Sequence, residues 1–252
     1  MALPAKVLER LPPELLQQGY GVQVGQRPEP EFPALSLGVA ALDEALPDGG
    51  LARGAVIEFG IHGAALGTTL SLGACRSLQQ AARALGASVP WCAFIDPSGT
   101  LYGPGVVAAG IELERLLVVR PPLEALSRVA LRIVESGACA LTIIDTLGVP
   151  GHSLGIDIGA WSRVVRRLSL AVDGTSHSVL LLTDAACPRP LPLPVTQRIE
   201  LSRPNAGKLS LRVAKDKFGR VSSPRPIAWV RKEPSCEPEQ GSLESLGVLR
   251  RA

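Results

Sequence analysis

Four apolar runs, each about the length of a strand, set the limits on what this chain can fold into. They are Val56-Ile57-Glu58-Phe59, Trp91–Asp96, Ala138–Asp145 and Ser178–Asp184. None alternates cleanly between apolar and polar residues, so each is expected to be buried on both faces. Stretches of helical period separate them, and that alternation predicts an α/β fold with a central, mostly parallel sheet flanked by helices. The last three runs end in Asp96, Asp145 and Asp184.

The helical stretches carry their own signals. Thr69 to Leu85 sets Ala74, Cys75, Leu78, Ala81, Ala82 and Leu85 on one face, with Gly86 as the stop. Pro121-Pro122 open a second helix with Leu123, Leu126, Ala130, Ile133 and Val134 inward, closed by Gly137. Asp157 is expected to cap a third, running to Val172, with Trp161, Val164, Val165 and Leu168 inward and Arg163, Arg166 and Arg167 outward. Ser36 is placed as the cap of a short helix through Leu46, and Arg115 to Arg120 reads as a further short strand.

After Asp184 the texture changes. The segment CPRPLPLPV at 187–195 cannot be a central strand. Three segments of period 2 follow, Gln197–Ser202, Leu209–Ala214 and Pro226–Val230, and read as antiparallel strands extending the sheet. The expected organisation is an N-terminal helical arm and linker over 1–34, a core over 35–232 and a flexible tail over 233–252. In the arm Leu8, Leu11 and Leu15, and in the tail Leu243, Leu246 and Leu249, recur at roughly helical spacing. They are candidates for contact with a partner, against the plainer alternatives of a helix folded onto its own core and a frayed end.

A hydrophobic share of 46% against 19% charged residues excludes a disordered chain. No run approaches the ~18 apolar residues of a membrane span, and the start lacks the pattern of a signal peptide. Five cysteines without a C-x-x-C pair fit reduced thiols in a cytoplasmic, nucleoid-associated protein. His62, His152 and His177 are isolated and show no metal spacing, so no metal site is expected. The net charge of +3 hides an asymmetry. Between Pro188 and Lys232, eleven lysines and arginines face only Glu200 and Asp216, a net of +9 that leaves −6 for the rest. Arg189, Arg198, Arg203, Lys208, Arg212, Lys215, Lys217 and Arg220 are therefore candidate DNA contacts, directed at phosphate and neutral to sequence. The alternative is a solvated sheet face.

The stretch Val56 to Thr69, VIEFGIHGAALGTT, has the layout of a phosphate-binding loop: strand, glycine-containing turn, helix start. Its chemistry is missing. In the pattern G-x-x-x-x-G-K-[ST], Ile61 and Leu66 stand at the glycines, Gly67 stands at the lysine, and only Thr68 fits. Gly60, Gly63, Gly67, Thr68, Thr69 and Asp145 are accordingly read as a vestigial nucleotide site, with no catalytic residue and no cofactor. His62 and Arg53 are the alternative cations.

Ser36, Gly38, Leu42, Asp43, Ala45, Leu46, Gly49, Gly50, Leu51, Gly54 and Glu58 form a string that resembles the start of the RecA recombinase core. Thr68-Thr69-Leu70, Cys92–Asp96 and Ile143-Ile144-Asp145 extend the resemblance over roughly 35–184. It implies a RecA-like core in which Asp145 matches the magnesium-side aspartate. It also implies that the residue activating the attacking water is replaced by Ser98, and the γ-phosphate sensor by Asp184. With its degenerate loop, Pro-Leu-Pro segment and Lys215–Arg220 motif, the chain resembles the ImuA family of DNA-damage-induced mutagenesis cassettes. That resemblance implies a non-catalytic accessory protein of the SOS response and translesion DNA synthesis. It would act by binding RecA, ImuB, an error-prone replicative-type DNA polymerase through ImuB, and DNA. The alternatives are a weak DNA-dependent ATPase, with Lys215 and Lys217 lent to a neighbour, and a SulA-type cell-division inhibitor.

Overall fold

The computed structural model describes residues 32–63, 65–148, 154–187, 192–205 and 208–228. Eight strands form one sheet in the order β3-β2-β4-β5-β1-β6-β7-β8. They are β1 (Val56–His62), β2 (Trp91–Ile95), β3 (Leu116–Val119), β4 (Cys139–Asp145), β5 (Ser178–Asp184), β6 (Gln197–Asn205), β7 (Lys208–Asp216) and β8 (Arg225–Ala228). The helices are α1 (Ala40–Asp43), α2 (Gly67–Ala84), α3 (Gly103–Ala108), α4 (Leu126–Glu135) and α5 (Ser162–Val172). The four apolar runs become β1, β2, β4 and β5, paired in parallel register from Ile57 against Leu180 to Ile144 against Leu181.

Burial on both faces follows from where the helices go. One apolar layer joins Ile57, Phe59, Phe94, Ile143 and Leu180 to Leu70, Ala74 and Cys75 of α2 and to the segment around Leu37, Leu42 and Leu51. The opposite layer joins Val56, Ile95, Ile144 and Leu181 to Leu126 and Ala130 of α4 and to Val165 and Leu168 of α5. Asp157 caps as expected, accepting the N–H of Ala160 at 3.3 Å ahead of a 3-10 turn that leads into α5.

Several expectations are corrected. Ser36 does not cap α1, whose N-terminal flank is Val39 and whose length is only four residues. Its hydroxyl donates to Asp43 at 2.6 Å while Asp43 also accepts the N–H of Leu37 at 2.8 Å. Asp43 therefore clamps the turn before its own helix, because a helix this short presents its last-turn carboxylate to the chain that precedes it. Leu85 is 83% exposed and Leu123 43% exposed. The last turn of α2 overshoots the sheet, and Leu123 falls in a 3-10 turn before α4 begins, so helical spacing assigned both to the wrong face. The C-terminal strands extend the sheet as expected, antiparallel to one another in the β6–β7 and β7–β8 pairs, and β6 joins the core parallel to β1.

The N-terminal end of β1 is fixed by close backbone approach. Gly54 has φ +63°, and a Cβ there would sit 2.5 Å from the carbonyl oxygen of Thr175. Nearby, Arg53 donates from Nε to the carbonyl of Ser176 at 3.0 Å. At the end of β7, Arg220 bridges Asp216 and Asp48, at 3.0 and 2.7 Å, and so ties the edge strands to the first turn of the core. Gly54→Ala should cost about 2–4 kcal/mol, combining left-handed backbone strain with overpacking. Urea unfolding measures it, and a loss below about 0.5 kcal/mol would contradict this packing.

Candidate functional site

The C-terminal end of β1 and Leu147, two residues past the end of β4, meet the start of α2 at Gly67. Gly63 has φ +60° and Leu66 has φ +61°, the one non-glycine residue in the left-handed region among the described residues. Helix α2 starts immediately after it, at Gly67. Leucine in that conformation costs on the order of 1–2 kcal/mol, so the turn is being held by its surroundings.

What holds it is aliphatic. Ile61 is buried, and a Cβ built on Gly67 would lie 2.8 Å from its Cδ1 and 3.0 Å from its Cγ1. Leu147 reaches the same point at 4.0 Å, and both Leu66 and Leu147 pack against the core. The space into which a lysine at position 67 would have to start is already filled. No cation stands at that position, and Gly67, Thr68 and Thr69 retain only the helix start and its hydroxyls. The residues present do not fit a magnesium-bound triphosphate, which needs a lysine and converging backbone amides.

Gly60 lies within β1, not in the loop, and the guanidinium of Arg198 packs over it, 3.4 Å from where a Cβ would be. Asp145 ends β4 almost fully buried, accepting the N–H of Leu147 at 2.9 Å. Burial pushes its carboxyl up to about 6, and the nearby Asp96 adds to the rise. Asp96 itself has been absorbed into loop architecture. It accepts the amides of Thr100 and Leu101 at 3.0 and 2.9 Å and the hydroxyl of Ser98 at 3.1 Å, with Arg120 at 3.5 Å. Ser98 thus helps to hold the Asp96 carboxylate. Asp184 is exposed and accepts the amide of Ala186 at 2.8 Å.

The two alternative cations stand at opposite ends of β1. His62 is exposed at the end of β1. Arg53 precedes β1 and Thr68 follows it, so the length of a seven-residue strand, about 23 Å, separates them. Lys215 and Lys217 lie at the same far end as Arg53, because β7 finishes where β6 begins.

The candidate DNA contacts divide. Arg203, Lys208, Arg212 and Lys217 are exposed. Arg212 and Arg198 both pair with Glu200 at 3.3 Å, and Arg198 is largely buried. Arg220 is half-buried and spends its guanidinium on Asp48 and Asp216. Lys215 is half-buried and donates to the carbonyl of Leu193 at 2.9 Å. Arg189, Leu8, Leu11, Leu15, Leu243, Leu246 and Leu249 lie outside the described residues. No helix among the described residues is long and apolar enough to cross a membrane, and no cluster of three metal-ligating side chains occurs among them.

The raised carboxyl of Asp145 has a stability signature. An acid that titrates near 6 when folded and near its ordinary value when unfolded favours the fold in acid. That contribution fades as pH rises from about 4 to about 6. The Asp145→Asn variant should therefore gain on the parent by about 1–3 kcal/mol across that window and keep the gain at pH 8. Chemical denaturation of both proteins at pH 4, 6 and 8 checks it, and a difference independent of pH would contradict it.

Comparison with known proteins agrees with this architecture. The RecA N-terminal domain family matches residues 14–166, more than half of the chain. Protein RecA of Streptococcus thermophilus is 28% identical over 177 residues, covering 66% of this chain and 45% of that protein. Protein RecA of Gluconacetobacter polyoxogenes is 30% identical over 177 residues, covering 66% and 49%. The chain thus spans a little under half the length of these relatives. On the family match, and on a sheet whose strands and loop fall where that family was expected to put them, the chain belongs to the RecA N-terminal domain family.

Proposed function

We propose that this protein is a non-catalytic, ImuA-like accessory factor of DNA-damage-induced mutagenesis and translesion synthesis. In this reading it acts by docking to RecA and ImuB, and through ImuB to an error-prone polymerase. The observation that carries the reading is the filled loop: Ile61 stands against Gly67, Leu66 takes the left-handed turn, and the position of the phosphate-binding lysine has no side chain. The architecture of a nucleotide-driven recombinase is kept while the groups that hold the nucleotide are not. That combination fits selection on shape and surface, not on turnover.

The magnitudes favour the same side. Losing the lysine and the glycine amides removes the main charge-assisted contacts to phosphate. Asp184 adds a negative charge at the position that would face the γ-phosphate. Protein–protein contact remains as the work left to the scaffold, with the arm at Leu8, Leu11 and Leu15 and the tail at Leu243, Leu246 and Leu249 as its candidate handles.

The purified chain should hydrolyse ATP no faster than background, with and without single-stranded DNA, while co-purifying with RecA and ImuB. Gly67→Lys alone should not restore binding of ATP, because Ile61 and Leu66 remain. Turnover abolished by Thr68→Ala or Asp145→Ala would overturn the reading in favour of a weak ATPase. Failure to retain either partner would remove the accessory role.

A further inference from the structure

At the opposite edge of the sheet from the loop, the N-terminal ends of β1 and β6 and the C-terminal ends of β7 and α5 border an open cleft of about 810 Å³. Besides Arg220, which is paired with Asp48 and Asp216, four cations line it: Arg53 before β1, Arg166 on the outer face of α5, and Lys215 and Lys217 at the end of β7. The elements that supply them are far apart in sequence and have nothing in common except this cleft. Phe218 and Leu170, the latter 72% exposed, add apolar surface beside them.

The acids at the cleft do not neutralise these charges. Asp216 is committed to Arg220 and to the side-chain amide of Gln197, and Asp173 is exposed at the rim. Among the described residues, none of the four cations forms a salt bridge. Two of them are nevertheless half-buried. Arg53 uses Nε on the Ser176 carbonyl, and Lys215 uses Nζ on the Leu193 carbonyl. Burial pulls both below their ordinary values, although Glu58 partly offsets this for Lys215. Holding partly desolvated cations together with no carboxylate in salt-bridge contact is costly unless an anion completes them. The open mouth admits one from solvent.

We propose that this cleft is a phosphate-binding site for a single-stranded nucleic-acid backbone, with Arg53 and Lys215 as the inner contacts and Arg166 and Lys217 as the outer ones. It rests on the reading of the chain as a DNA-contacting factor, and it moves the contact. The sheet surface of β6 and β7, where Arg198 and Arg212 are occupied by Glu200, becomes secondary to the sheet's lower edge. The planar guanidiniums of Arg53 and Arg166 suit phosphate geometry.

The test is fluorescence anisotropy of a labelled single-stranded 20-mer with the full chain, titrated over a range of salt. The variants are Arg53→Gln/Lys217→Gln and, as a control of equal chemistry on the exposed face of α4, Arg128→Gln. Thermal melting verifies that each is folded. The double variant should bind at least tenfold more weakly at low salt, with a salt slope shallower by about 1.4, as two lost contacts to single-stranded phosphate require. The control should bind as the parent does. A second arm adds millimolar ATP without magnesium, which should not displace the oligonucleotide. Unchanged affinity and slope in the double variant would overturn the site. So would complete displacement by ATP, which would assign the cleft to free nucleotide, or a parent that binds no strand at low salt. Failure here leaves the absence of ATP turnover and the capture of RecA and ImuB as separate questions.

Discussion

The contact between Ile61 and Gly67 is the constraint on which the functional account depends. An isoleucine at the end of a buried strand points its branched side chain across the start of the next helix. A side chain at position 67 would meet the terminal methyl of Ile61 at 2.8 Å, so the isoleucine would have to shift for a lysine to stand there. Leu66 completes the arrangement by accepting a left-handed conformation for the sake of its packing, so the turn survives as architecture. A loop of this kind still joins β1 to α2 in the parallel sheet, but it presents hydrocarbon where its relatives' layout calls for charge.

The rest of the edge has been converted in the same direction. Asp96 and Ser98 hydrogen-bond to each other and to the loop that follows, which makes them parts of the frame. Asp145 is left inside with one amide donor and a carboxyl that burial raises to about 6, which costs stability at neutral pH. By contrast, the far edge holds cations whose charge the protein itself does not balance.

Much of this was legible in the residues. The four apolar runs gave β1, β2, β4 and β5 because continuous burial leaves no other arrangement, and the missing lysine could be read directly from Gly67. Other features needed three dimensions. Helical spacing placed Leu85 and Leu123 inward, yet neither helix extends over the sheet at those points. Period 2 in 197–202 marked a strand but not its direction, which depends on the crossover before it. The cluster of +9 suggested a surface, whereas the structure buries or pairs Arg198 and Arg220 and sends Lys215 and Lys217 to a cleft shared with Arg53 and Arg166. Those two arginines lie outside the basic segment, so no count along the chain could have joined them to it. The outward face of α5 was the available signal.

The most direct test of the filled loop is to watch its own amides. Backbone NMR signals of Gly63, Gly67, Thr68 and Thr69 would be followed while magnesium-ATP is added to millimolar concentration. The account predicts that they stay where they are, with Ile61 methyl protons giving a persistent contact to the Gly67 α-protons. Saturable shifts of these amides, together with loss of that contact, would show that a triphosphate enters the loop and would contradict the account.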